Sequence, residues 1–168
     1  MVDKYIALLN GIEQEVAGTV SGGTAGQAGQ IPALDTSGRL DPTLMPVGVV
    51  ADTYSGTAFE SLSAANPFVY VRSDGQVANA SATSGGNPTI GFVLANFSAA
   101  ATALVYFEGR VTGLSGLTVG SRYYLSDSTP GGLTLTPVSG TGKLHQYLGR
   151  AVSATTLTFE ADDHIVRA

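Results

Sequence analysis

The side chains that could do chemistry are few, and their spacing fits none of the common catalytic arrangements. There is no cysteine, which excludes disulfides and thiolate chemistry. The two histidines are His145, inside the strand-like run HQYLG, and His164, which follows Asp162-Asp163 near the C-terminus. His145 reads as a surface or edge residue of its strand. Asp162, Asp163 and His164 are all metal-ligand types, but three adjacent residues rarely converge on one ion, so no metal site is expected. Gly140-Thr141-Gly142-Lys143 has the look of a phosphate loop. It fails the pattern, because the first required glycine is Pro137 and the residue after Lys143 is Leu144 rather than Ser or Thr. Gly113-Leu114-Ser115-Gly116 lacks nucleophile-elbow spacing, since its last glycine comes one residue early. Glu108 and Glu160 are carboxylates in matched contexts, each following a Phe at the end of a strand-like run. Glycoside hydrolysis would need two carboxylates across one cleft, one with a raised pKa. Their repetition instead suggests a charge that protects a strand edge from aggregation. No catalytic residue and no cofactor are expected.

The composition narrows the partners. The chain has 168 residues, room for one domain and an appendage. Only 12% of residues are charged, while 22 are glycine, which suggests a turn-rich β protein kept in solution by hydroxyls or covered by partner subunits. The net charge is −5 and the eight basic residues are scattered. Binding to a phosphate backbone releases counterions from clustered cations, so neither direct nucleic-acid binding nor an anionic membrane surface is expected. No apolar run approaches the ~20 residues that span a bilayer. Asp3, Lys4, Glu13 and Glu15 interrupt any signal-peptide core, so synthesis in a cytoplasm is expected.

Three regions must position whatever the chain presents. Residues 1–16 read as a short N-terminal helix: Val2, Tyr5, Leu9, Ile12 and Val16 are spaced as a heptad seam. Two heptads do not hold a helix together alone, because ordering each residue costs about 1–2 kcal/mol of backbone entropy. Such a helix needs copies of itself, a partner surface, or its own β body. Residues 17–30 form a Gly-rich tether. Residues 31–49 form a Pro-containing arm, in which Pro32, Pro42 and Pro46 forbid a regular helix or a central strand. Its apolar residues Ile31, Leu34, Leu40, Leu44 and Met45 must lie on another surface or pack beneath the chain's own body. With the seam residues they are the candidate oligomer or partner interface.

Residues 50–168 read as a compact antiparallel β domain, a sandwich or small barrel. FVYVR and QVANA flank Asp74-Gly75, a strong hairpin signal. RYYLS and GLTLT flank a Pro130-Gly131 turn, and HQYLGRAVS and TTLTFE flank Ala154. The run from Gly91 to Glu108 is mirrored by the run from Gly149 to Glu160, and Phe68–Val71 by Tyr123–Leu125. Offsets of 52–58 residues point to one hairpin unit used twice, with pseudo-two-fold symmetry.

The run AGQAGQIPALDTSGRLDPTLMPVGV resembles the Gly-rich segments of tailed-bacteriophage virion proteins. GFVLANFSAAATALVYFEG and GLTVGSRYYLSDSTPGGLTLTPVSGTGKLHQYLGRAVSATTLTFE resemble the β module that follows such segments. The resemblance covers roughly residues 25–165. It implies a capsid decoration or head-fibre protein, a homotrimer on the virion exterior whose partner is the phage major capsid protein. The alternative it leaves is a tail-fibre or baseplate component that shows its β domain to a host receptor. A carbohydrate-active enzyme is a third and more remote reading, which would require carboxylates converging in a pocket.

Overall fold

The computed structural model describes residues 4–9, 11–21, 30–36, 38–45 and 51–168. Val2 and residues 22–29 of the Gly-rich tether lie outside the described residues. The fold is mainly β, in several antiparallel sheets, and the chain divides into two compact units, Met1–Val50 and Ala51–Ala168.

The first unit corrects the expected helix. Its start is a β hairpin, β1 (Lys4–Leu9) and β2 (Ile12–Ala17). The register pairs Tyr5 with Val16 and Leu9 with Ile12. The physical reason lies in the spacing. Steps of four, from 5 to 9 and from 12 to 16, are even and keep one face of a strand as well as one stripe of a helix. The step of three falls at the turn. There the sequence is Asn10-Gly11, the strongest short hairpin signal, and Gly11 sits at φ 80°. A glycine that would weaken a helix instead closes a hairpin.

Two backbone hydrogen bonds join Thr19 to the start of the arm. The Thr19 amide donates to the Ile31 carbonyl (3.1 Å), and the Ala33 amide donates to the Thr19 carbonyl (2.8 Å). Thr19 and residues 31–33 therefore lie side by side. The arm that follows is a series of side-chain-capped turns. Asp35 accepts from the Arg39 amide (2.9 Å), and Asp41 accepts from the amide and hydroxyl of Thr43. Asp41 thereby caps a single 3-10 turn, Pro42–Leu44, with proline at the first position, where its missing N–H is harmless.

The second unit contains two five-stranded antiparallel sheets and a two-stranded one. The first sheet uses β3 (Thr53–Thr57), β4 (Phe68–Val71), β5 (Val77–Asn79), β6 (Gly91–Phe92) and β7 (Thr102–Tyr106), in the order β3-β7-β6-β4-β5. The second uses β8 (Gly109–Val111), β9 (Arg122–Leu125), β10 (Leu133–Thr134), β12 (Tyr147–Ser153) and β13 (Thr156–Phe159), in the order β8-β13-β12-β9-β10. The orders are the same once each strand is matched to its counterpart. The second copy has one insertion, β11 (Leu144–His145), which pairs with β14 (Ile165–Val166).

Alternation along the strands fills two cores. Phe68, Phe92 and Tyr106 of the first sheet pack with Phe159, Leu157, Leu148 and Tyr123 of the second. The Phe159 ring lies 5.3 Å from Phe92 and 5.9 Å from Phe68, centroid to centroid. Val69, Val77 and Val105 point the other way, into a smaller cluster with Ala58, Leu62 and Val93. The first sheet is thus covered on both faces. A buried polar pair ties loops to it. Gln146 accepts from the Thr89 amide (2.8 Å) and donates to the Thr89 carbonyl (2.9 Å), while the Thr89 hydroxyl donates to the Val69 carbonyl (2.8 Å). Every hydrogen-bonding group so enclosed is matched, which a buried amide requires.

An ion pair, Lys143 Nζ to Asp127 Oδ2 at 2.5 Å, joins the turn before β11 to the turn after β9. The hydrogen bond from Lys143 holds the Asp127 carboxyl below its ordinary value of 3.8. Such a depressed carboxyl stabilises the fold above its unfolded pKa and ceases to do so as pH falls through its folded one. The pair is partly exposed, so its contribution is at most about 1 kcal/mol. Thermal unfolding of the native chain and of Asp127→Asn should differ at neutral pH. The two curves should converge as pH falls through the lowered pKa of the Asp127 carboxyl.

Candidate functional site

The residues expected to form an interface gather in the first unit, though not on a helix. Tyr5 and Val16 oppose each other across the hairpin and are half-buried. Ile12 is 63% exposed, and Ile6, which pairs with Glu15 and so lies on the other face of the hairpin, is 67% exposed. In the arm, Ile31 (54%) and Leu34 (55%) stand open, Leu40 and Met45 are also exposed, and Leu44 is half-buried. Leu9 pairs with Ile12 in the register, and Val2 lies outside the described residues. A small cleft of about 240 Å³ is lined by Lys4, Tyr5, Gly18, Ile31, Pro32 and Leu34. A two-stranded hairpin is marginal alone in water. This one carries apolar side chains in the open and two strands with unpaired edges, which favours addition of strands or surfaces from elsewhere.

The motifs considered for catalysis lie in the second unit. The Gly140–Lys143 run is a tight turn whose lysine is neutralised by Asp127. Gly113 and Gly116 bracket the buried Leu114 at positive φ, and their loop hydrogen-bonds to Thr155 and Ala154. Asp162, Asp163 and His164 line a cleft of about 360 Å³ with Pro88, Thr89 and Ile90. Among the described residues, no three His, Cys, Asp or Glu side chains converge as a metal site. Glu108 and Glu160 follow equivalent strands, both exposed.

A second cleft, of about 350 Å³, lies on the face of the second sheet turned away from the core. Its lining side chains come from three strands and the segment after β13. β9 alternates out-in-out-in, so Arg122 and Tyr124 face outward while Tyr123 and Leu125 are buried. In β12 the register slips between Tyr147 and Gly149. This bulge puts Tyr147 opposite Tyr124 and Arg150 opposite Arg122, although the two are three residues apart and would otherwise face opposite ways. His145 lies beside Tyr124 at 5.1 Å with the two rings tilted by 43°, and Tyr124 meets Tyr147 edge-on at 6.0 Å. Tyr147 donates to Glu160 Oε2 over a long 3.4 Å. Burial, and then the Glu160 carboxylate, push the Tyr147 hydroxyl above its ordinary value of 10.0, so it stays protonated at neutral pH.

Sequence reasoning placed His145 and Glu160 but missed Arg122, Tyr124, Tyr147 and Arg150. The alternation of RYYL carried part of the signal. The bulge that brings Arg150 to the same face did not show, because it has no residue-type signature beyond Gly149. No protein-family model and no curated protein matches the chain.

Proposed function

We propose that the chain is a non-enzymatic structural protein of a tailed-phage virion, a decoration protein on the capsid exterior. Its first unit attaches and oligomerises, and its β domain is carried outward. The observation that carries this reading is the exposed apolar set of the first unit, Ile6, Ile12, Ile31 and Leu34, on a hairpin and arm with little core of their own. Such segments gain order against a partner. The resemblance of the Gly-rich and β segments supports a homotrimer and the major capsid protein as partner. In this reading the two five-stranded sheets are the halves of one sandwich with pseudo-two-fold symmetry, since they share a strand order and a core.

The test is sedimentation of the full chain, alone and with capsids assembled from the major capsid protein of the same phage. We expect a trimer at about tens of micromolar and co-sedimentation with capsids. Ile12→Asp with Ile31→Asp should weaken capsid binding by about tenfold or more, with the β domain's thermal transition unchanged. A chain that stays monomeric and leaves capsids in the supernatant would refute the reading. The second reading, a tail-fibre or baseplate component, is favoured by one observation: the outward cleft of Arg122, Tyr124 and Tyr147.

A further inference from the structure

We propose that the outward cleft of the second sheet is a saccharide-binding site, formed by Arg122, Tyr124, Tyr147, Arg150 and Glu160. The inference stands on this cleft alone and does not depend on how the first unit attaches.

The chemistry of the lining selects the ligand. All seven side chains are polar or aromatic, and none is aliphatic. Two guanidiniums, Arg122 and Arg150, are matched by two carboxylates, Glu160 and Asp162. A simple anion would meet the carboxylates and a simple cation the guanidiniums, so the cleft favours a neutral molecule. It must also both donate and accept hydrogen bonds, because strong donors and strong acceptors stand side by side. Vicinal hydroxyls do both. The two tyrosines add apolar ring surface with a polar tip, which suits a ligand with a C–H face and a hydroxylated rim. A sugar ring has both, and a cleft of about 350 Å³ is at the scale of a small-ligand pocket.

The groups are also held in place before any ligand arrives. Arg150 donates to the Gly120 carbonyl at 2.8 Å, and Arg122 lies over the Tyr147 ring at 5.7 Å. His145 Nδ1 accepts from the Arg167 guanidinium at 3.2 Å, which fixes its ring beside Tyr124. The Asp162 amide bonds to the Tyr147 carbonyl, and Gln146 donates to the Asp162 carbonyl, so the segment after β13 is pinned along the cleft. Side chains on strands, pinned by neighbours, lose little freedom on binding, which favours recognition even of a weak ligand. In the first sheet, the positions that match Tyr147 and Arg150 lie in the short β6 and its approach, where Ile90 and Phe92 stand. The cleft is therefore a property of the second copy, arising where the repeat diverges.

The experiment is saturation-transfer NMR on the full chain with glucose, galactose, mannose, rhamnose and N-acetylglucosamine, each at about 20 mM, and with inorganic phosphate and glutamate as controls. At least one sugar should receive transfer, and its apparent affinity should fall by about tenfold or more in Arg122→Ala and in Glu160→Gln. Both residues are exposed, so folding is expected to survive, and circular dichroism checks it. Tyr147→Phe should lose part of the affinity and Tyr124→Ala most of it. Transfer to none of the five sugars overturns the proposal. So does binding indifferent to Arg122→Ala and Glu160→Gln, which would place the sugar elsewhere, or a cleft that takes phosphate alone.

Discussion

Gly149→Ala should leave the β domain largely unfolded at physiological temperature. Gly149 sits in β12 at φ 150°, in a region that is nearly closed to residues with a Cβ. A Cβ there would also overlap the Thr158 carbonyl oxygen of the neighbouring strand and approach Leu157 Cδ2 to 3.1 Å. The obstacle is backbone, in the ladder where Gly149 pairs with Phe159, and cannot rotate aside. Strain of about 1–3 kcal/mol from the dihedral alone adds to the separation of two strands whose inner residues hold the main core. The sum is a large part of the ~5–15 kcal/mol that stabilises an ordinary domain. Gly91, the counterpart in the first sheet, gives a graded comparison. Its Cβ would stand 2.6 Å from the Tyr106 carbonyl and 2.7 Å from Val105 Cγ1 without the positive φ, so Gly91→Ala should destabilise, but less. Gly113→Ala, at φ 81° in open space, should cost only about 1 kcal/mol. Chemical denaturation of the three variants tests the order. Equal midpoints for Gly149→Ala and Gly113→Ala would show that the close approach of β12 and β13 is not what requires the glycine.

That pair of glycines also shows how much of the fold the sequence reveals. Gly91 and Gly149 open matching runs, and the repeated Phe-Glu ends them. The match survives because both strands meet the same constraint, a carbonyl pressed against a position without a side chain. Periodicity of two, Asp74-Gly75 and Pro130-Gly131 are equally local, and the strands they bound are where the spacing put them. The hairpin of the first unit was misread for a reason just as local. A four-residue step satisfies helix and strand alike, and only the weight given to Asn10-Gly11 decides between them. The cleft was the least legible part. Its residues come from positions 122–162, brought together by a sheet order that connects β9 to β12 across an insertion, and by a bulge that reverses one side chain's direction. Nothing in residue spacing along the chain encodes that meeting.

Removing residues 1–50 should separate attachment from everything else. The fragment 51–168 holds both core clusters and both five-stranded sheets, so it should unfold in one cooperative transition close to that of the same domain in the full chain. The proposed decoration role requires capsid binding to fall by about a hundredfold or more, because the linked contacts of the proposed oligomer multiply and a lone β domain has only its own. The fragment should sediment as a monomer. Its saccharide binding should be unchanged, since Arg122, Tyr124, Tyr147, Arg150 and Glu160 all remain. This last readout keeps the two ideas apart. Lost capsid binding with retained sugar binding assigns the first unit to attachment and the cleft to display. Should the fragment hold capsids as tightly as the full chain, the β domain is the anchor. The exposed Ile6, Ile12, Ile31 and Leu34 would then face away from the capsid, toward another copy or another partner.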